Sequence, residues 1–228
     1  MTKFVVFLLT FLAIPGIAFS GTIQGAAQYT AKFTPPAPIK TGKFKKACGD
    51  EIPNQSLIVN GTGLQNVVVS IEGKVRGGKP GKYHIDQKNC RYEPHVIALM
   101  KESELVIHSS DPINHNIHTY SFENDPINVM FTPGQDDFTQ EFEEPEIIKV
   151  ECDLHHWMTA WIVVTENAYF AVSDRDGKFT IPDLPPGKYT LTAWHETLGS
   201  ISREISVGDG IVKADFDFSE MTPQVSQK

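Results

Sequence analysis

The sequence predicts an all-β chain, and three observations carry that reading. Short apolar runs rich in β-branched residues recur from Leu57 onward. Each is closed by Gly, Pro, Asn or Asp, and hardly any helical period accompanies them. Turn signals fall at intervals of about ten residues, the spacing of a β-sandwich. With 228 residues there is material for one large sandwich or two ordinary domains.

The elements follow in order. Lys3 precedes an apolar run from Phe4 to Phe19, interrupted by Pro15 and Gly16 and followed by Ala18-Phe19-Ser20. This is the pattern of a cleaved secretory signal peptide, residues 1 to 20, and it places the chain in a periplasmic or secreted compartment. The run is too short and broken for a membrane span, and no later run is long enough. Residues 21 to 47 are rich in Gly, Ala, Thr, Pro and Lys, with Pro35-Pro36-Ala37-Pro38 opposing regular pairing, so a linker or extended arm is expected there. Strands are expected at Val67–Val69, Val96–Leu99, Leu105–Ile107, Ile147–Val150, Trp161–Val164, Phe179–Ile181, Tyr189–Ala193 and Ile205–Val207. Asp174-Arg175-Asp176-Gly177 predicts a tight hairpin between Phe170–Ser173 and Lys178–Ile181. Residues 219 to 228 read as a flexible tail.

Charge narrows the function. Twenty basic against 28 acidic residues give a net charge of −8, the wrong sign for a nucleic-acid binder. Removing residues 1 to 20 takes away Lys3 alone, leaving 19 basic and 28 acidic residues and a net charge of −9.

Chemistry concentrates between two strands. Alternation along Ile147–Cys152 puts Ile148, Val150 and Cys152 on one face, so the thiol arrives inward at the strand's end. Asp153-Leu154-His155-His156-Trp157-Met158 follows, with two residues between Cys152 and His155 and two between His155 and Met158. Asp111-Pro112-Ile113-Asn114-His115 follows another strand, and loops at one end of a sandwich converge. Two imidazoles, one thiolate and a thioether suit a mononuclear copper centre of the electron-transfer type. A zinc site would leave Met158 without a role, and a free buried thiol is a liability in an oxidising compartment.

On these residues the chain resembles the cupredoxins, most closely the amicyanin type. The resemblance rests on Cys152-x-x-His155-x-x-Met158 and on His115-Asn116-Ile117-His118, and it covers about residues 82 to 166. It implies a Greek-key sandwich binding one copper ion per chain through His115, Cys152, His155 and Met158, with Asn116 bracing the ligand loop. His156 stands where amicyanins have Pro; spacing favours His155 as the ligand. His118 is expected near the site as a packing or surface residue, and His195 is of interest because Glu196 adjoins it. With Cys152 assigned to metal, Cys48 and Cys90 remain to form a disulfide, worth on the order of 2 to 4 kcal/mol.

Ala171–Leu191, with Asp176-Gly177-Lys178-Phe179 and Leu184-Pro185-Pro186-Gly187-Lys188-Tyr189-Thr190-Leu191, resembles the carboxypeptidase regulatory-like family of small transthyretin-like sandwiches. The resemblance implies architecture and no catalytic residue. An early strand of that family is similar to Leu64–Gly73, so residues 48–81 are expected to pair with 167–218, interrupted by the copper domain at 82–166. The expected function is an exported electron carrier, not an enzyme, that docks transiently with redox proteins. Copper storage, delivery or sensing is the alternative.

Overall fold

The structure is a computed structural model that describes residues 20–223. The signal-peptide expectation therefore lies outside the described residues, apart from Ser20. Among the described residues no helix is long and apolar enough to cross a membrane. The chain is all-β, and apart from one small two-stranded sheet its described strands form two packed pairs of sheets.

The first pair holds residues 82–165. One sheet orders Phe138–Phe142, Ser103–Ser109, Lys82–Lys88 and Arg91–Glu93; the other orders Asn128–Phe131, His115–Tyr120, Glu146–Glu151, Thr159–Thr165 and Val96–Met100. Ile85, Leu105 and Ile107 from the first meet Ile117, Ile148, Val150 and Ile162 from the second in one buried cluster. Alternation explains the inward face: along Glu146–Glu151, Ile148 and Val150 are buried while Ile147 is exposed.

The second pair flanks the first in sequence. Val68–Ile71 pairs with Phe170–Val172 and with Gly187–His195, which in turn pairs with Gly199–Val207. The opposing sheet centres on Gly21–Gln28, bonded to Lys178–Leu184, Gly210–Lys213, Phe216–Asp217 and Gly63–Leu64. Its core joins Ile23, Leu64, Phe179 and Ile181 to Val69, Ile71 and Leu191.

Several expectations need correction. Residues 21–28 are a central strand, not part of an arm. The inward face carries Gly21, Ile23 and Ala27, and small residues hide the alternation that a larger side chain would reveal. Smallness is required, since a Cβ at Gly25 would lie 2.0 Å from the Ala214 carbonyl oxygen. Residues 39–52 also fold, as paired strands Ile39–Lys40 and Glu51–Ile52 around the short helical turns Gly42–Phe44 and Lys45–Cys48. The turn at Asp174–Gly177 forms, with Gly177 at φ 77° and its N–H donating to the Asp174 carbonyl at 2.9 Å. It carries the chain from one sheet to the other, so the flanking strands do not pair with each other. Ser219, expected in the tail, receives the Thr30 backbone N–H at 2.8 Å.

The two sandwiches share a buried seam of Val68, Val96, Ala98 and Val163, edged by Trp161 and Trp194. Glu196, partly buried beside Trp161, accepts from the Trp161 indole at 2.8 Å and pairs with His95. Asn167 ties together the two places where the chain crosses between sandwiches. Its Nδ2 donates to the carbonyls of Ile71 and Gly73 at 2.8 and 2.7 Å, and its Oδ1 accepts the Tyr169 N–H.

His195 is buried in the second sandwich. Burial pushes its pKa down to about 4, so the folded protein holds it neutral, accepting from the Thr197 N–H at 3.2 Å. The unfolded chain takes up this proton near pH 6.5, so the stability His195 contributes is present above that value and is lost as pH falls through about 4. We expect His195→Gln, which cannot charge, to weaken the acid dependence of metal-free folding stability by on the order of 3 kcal/mol between pH 7 and 4. Urea unfolding at a series of pH values measures this, and parallel pH profiles for both proteins would contradict it.

Candidate metal centre

The loop between Glu146–Glu151 and Thr159–Thr165 is closed by its own backbone. The Cys152 N–H donates to the Met158 carbonyl at 3.1 Å, His155 N–H to Cys152 at 3.2 Å, and Met158 N–H to His155 at 2.8 Å. These three bonds turn Cys152, His155 and Met158 toward the sandwich, each with about 1% of its surface exposed. His156, next along the loop, is exposed.

His115 opens the neighbouring strand His115–Tyr120, which is bonded to Glu146–Glu151. The structure brings His115, Cys152 and His155 into one buried cluster whose potential ligand atoms all lie within 4.8 Å of one another. His115 Nδ1 lies 3.0 Å from His155 Nδ1, and Cys152 Sγ lies 3.7 Å from His155 Nδ1. Metal bonds of about 2.0 to 2.3 Å leave edges of this size between adjacent ligands.

Asn116 joins the strand to the ligand loop. Its Oδ1 accepts the Asp153 N–H at 2.7 Å, its Nδ2 donates to Asp153 Oδ2 at 2.8 Å, and its own N–H points at Cys152 Sγ at 3.5 Å. The Asn116 carbonyl accepts from the buried Tyr92 hydroxyl at 2.6 Å and from Gln87 at 2.9 Å. His118 hydrogen-bonds Asp153 at 3.0 Å and stacks on Tyr120, outside the cluster. His195 lies in the other sandwich, and the carboxylate beside it turns to His95 and Trp161 instead.

Three contributors were hidden from sequence reasoning. Asp111 Oδ2 accepts from His115 Nε2 at 2.9 Å, which turns Nδ1 of that ring toward Cys152 and His155. The same carboxylate accepts the N–H groups of Asn89 and Cys90 at 2.8 and 2.7 Å. Those two residues form a two-residue hairpin turn with φ values of 53° and 56°, a conformation that suits Asn better than Cys and that Asp111 holds in place. Cys90 is bridged to Cys48, and its carbonyl accepts the Trp157 indole at 3.2 Å. Phe44, from the segment leading to Cys48, lies 4.3 Å from the His155 ring, centroid to centroid. Its only trace in the sequence is proximity to a half-cystine.

Electrostatics prepare the cluster for a cation. Burial raises the Cys152 thiol, but the hydrogen bond with His115 and the backbone N–H groups of Asn116, Leu154 and His155 outweigh it and hold the pKa below the ordinary thiol value. Burial, with the neighbouring His115 charge adding to it, lowers His155 to about 4, so its lone pair is free of a proton at neutral pH. His115 moves upward: burial opposes this, but the hydrogen bonds with Asp111 and Cys152 prevail. A thiolate-prone sulfur and two ring nitrogens converging out of water form a donor set for a soft or borderline metal.

Comparisons with known proteins bear on different parts of the chain. A family model described as polysaccharide lyase family 4, domain II matches residues 146–213, which include the ligand loop and part of the second sandwich. This is not the carboxypeptidase regulatory-like family that the turn motifs resemble. No curated protein matches. Among solved structures, similarity is found to a copper-containing nitrite reductase from Thermus scotoductus SA-01, at 14% identity and a TM-score of 0.36, over 43% of this chain and 26% of that one. The chain thus spans about a quarter of that enzyme's length. A purple cupredoxin from Nitrosopumilus maritimus aligns at 21% identity and a TM-score of 0.32, over 36% of this chain and 99% of that one. The Cu(I) form of the M98A mutant of amicyanin aligns at 16% identity and 0.34, over 42% and 97%.

In the metal-free protein, His115→Ala should raise the midpoint of the Cys152 thiolate absorbance near 240 nm, because the largest favourable partner of the thiolate is lost. An unmoved midpoint would show that His115 does not act on the sulfur.

Proposed function

We propose that this chain is an exported one-electron carrier whose His115, Cys152 and His155, with Met158 as a weak fourth donor, would hold a single copper ion. The observation that carries the reading is the buried convergence of one thiol and two imidazoles. Their mixed softness fits copper in both oxidation states. Met158, buried in the same cluster as Cys152, would supply the soft fourth donor expected of such a site.

Copper, when bound, supplies the exchange of one electron between its two oxidation states. The chain's own residues do the rest. Cys152 would give up its proton on binding and contribute a thiolate, while His155, neutral already, would contribute Nδ1. Asp111 fixes the His115 ring with Nδ1 toward the site. Asn116 and the three backbone bonds of the loop keep the ligands from rearranging, which keeps small the structural cost of changing charge. With His115, Cys152, His155 and Met158 all buried, water is kept from the site and no proton needs to accompany the electron.

This arrangement favours a carrier over an enzyme, since His115, Cys152, His155 and Met158 are all buried, which leaves a substrate no open approach to a bound ion. It also favours a carrier over a delivery module, since a site whose donor side chains are all buried releases metal slowly. The Cys48–Cys90 disulfide accords with an oxidising compartment, and the proposed nesting of residues 82–166 within 48–81 and 167–218 is supported by the pairing of Val68–Ile71 with Gly187–His195.

Adding Cu(II) to the metal-free protein should produce an intense visible thiolate-to-copper band, absent in Cys152→Ser. No band in the native protein would reject the reading. Met158→Leu should keep the band and raise the reduction potential, because losing a donor disfavours the more highly charged oxidation state; an unchanged potential would remove Met158 from the ligand set.

A further inference from the structure

The edge of His155 that faces away from the cluster is covered by this chain itself. His155 Nε2 is buried with no hydrogen-bond partner, and the Phe44 ring stands edge-on to it, in contact also with Trp157. Phe44 belongs to the folded segment 39–52. That segment is held by the pairing of Ile39–Lys40 with Glu51–Ile52, by the Thr41 hydroxyl on the Gly49 carbonyl, and by the Cys48–Cys90 disulfide. Between it and the ligand loop lies an open groove of about 1060 Å³, lined in part by Phe44, Leu154, His156 and Trp157.

The charge of this segment is opposite to that of the chain. Lys43, Lys45 and Lys46 are exposed and have no carboxylate partner among the described residues, whereas Lys40 is paired with Glu51. Lys43 Nζ lies 5.0 Å from the Phe44 ring centre. Three unpaired lysines thus flank Phe44 along the chain, beside an aromatic and aliphatic groove, on a protein whose net charge is −8. An apolar centre with a charged rim is the anatomy of a transient interface.

We propose that segment 39–52 is the docking face for an acidic redox protein, and that the Phe44 ring is the contact through which the electron passes to or from His155. The proposal rests on the copper reading above and adds the class of partner. An acidic partner is repelled by the net charge of this chain and attracted at this face, so the field orients it with its own redox group toward Phe44. One electron crosses per encounter: the donor loses it, the acceptor gains it, and no bond or proton changes hands.

The test uses the copper-loaded protein, reduced and then mixed in a stopped-flow instrument with hexacyanoferrate(III), a one-electron oxidant that becomes hexacyanoferrate(II). If the lysine face governs exchange, the rate with this anion falls as ionic strength rises from about 0.01 to 0.3 M, although the net charge alone demands a rise. The combined variant Lys43→Glu, Lys45→Glu, Lys46→Glu should keep the visible band, lose about tenfold or more in low-salt rate, and reverse the salt dependence. Poly-L-glutamate, an acidic polypeptide, should slow the native protein's reaction and leave the variant's unchanged. A rate that rises with salt in the native protein, or that is indifferent to the three substitutions, overturns the docking face while the copper reading stands. Failure of the visible band to form overturns both.

Discussion

Everything at the site depends on two separate segments being held together by one side chain. The Asn116 amide bonds Asp153 twice, once through backbone and once through side chain, and so binds the start of one strand to the loop that follows another. His115 precedes Asn116, and Cys152 precedes Asp153. Fixing one pair of neighbours fixes the other pair to within a bond angle or two. A buried amide left without these partners would cost about 1 to 3 kcal/mol for each unmet group, so the contact is strongly selected over any slipped arrangement. Tyr92 and Gln87 clamp the Asn116 carbonyl from the opposing sheet, which makes both layers of the sandwich parties to the same constraint.

A second convergence lies at the turn of Asn89 and Cys90. Four different segments meet there: the Asp111 carboxylate, the Trp157 indole, the strands of the hairpin, and Cys48 through its sulfur. Asp111 then reaches His115, and Trp157 and Phe44 reach His155. The disulfide thereby does more than shorten the unfolded chain. It places the covering segment and the orienting carboxylate in one rigid frame around the two imidazoles.

What could be read from the sequence divides along physical lines. Cys152, His155 and Met158 are close in sequence, and a short loop leaves little freedom in where they point. His115 was legible because it follows a strand that ends where the sandwich's loops gather. Asp111 was not, because its role depends on N–H groups twenty-one and twenty-two residues away, and a carboxylate near a turn has many possible uses. Phe44 was less legible still, since only the folded path of the disulfide carries it to the site. The strand Gly21–Gln28 escaped for another reason: its buried face is built of Gly, Ile and Ala, and alternation that weak is indistinguishable from a linker. The turn at Gly177 was legible as a turn, but a turn does not say whether its strands stay in one sheet.

The crossing points at Asn167 have a consequence for how the molecule meets others. A domain attached by a single linker samples many orientations, and each encounter with a partner must first restrict them. Here the sandwich of residues 82–165 is attached at both ends, and Asn167 bonds the outgoing and returning chains to each other beside a buried seam of valines and tryptophans. A doubly anchored body has no pivot. The orientation of the second sandwich therefore also sets that of the copper-site sandwich it encloses in sequence, and the orientational entropy that association would otherwise remove has already been lost in folding.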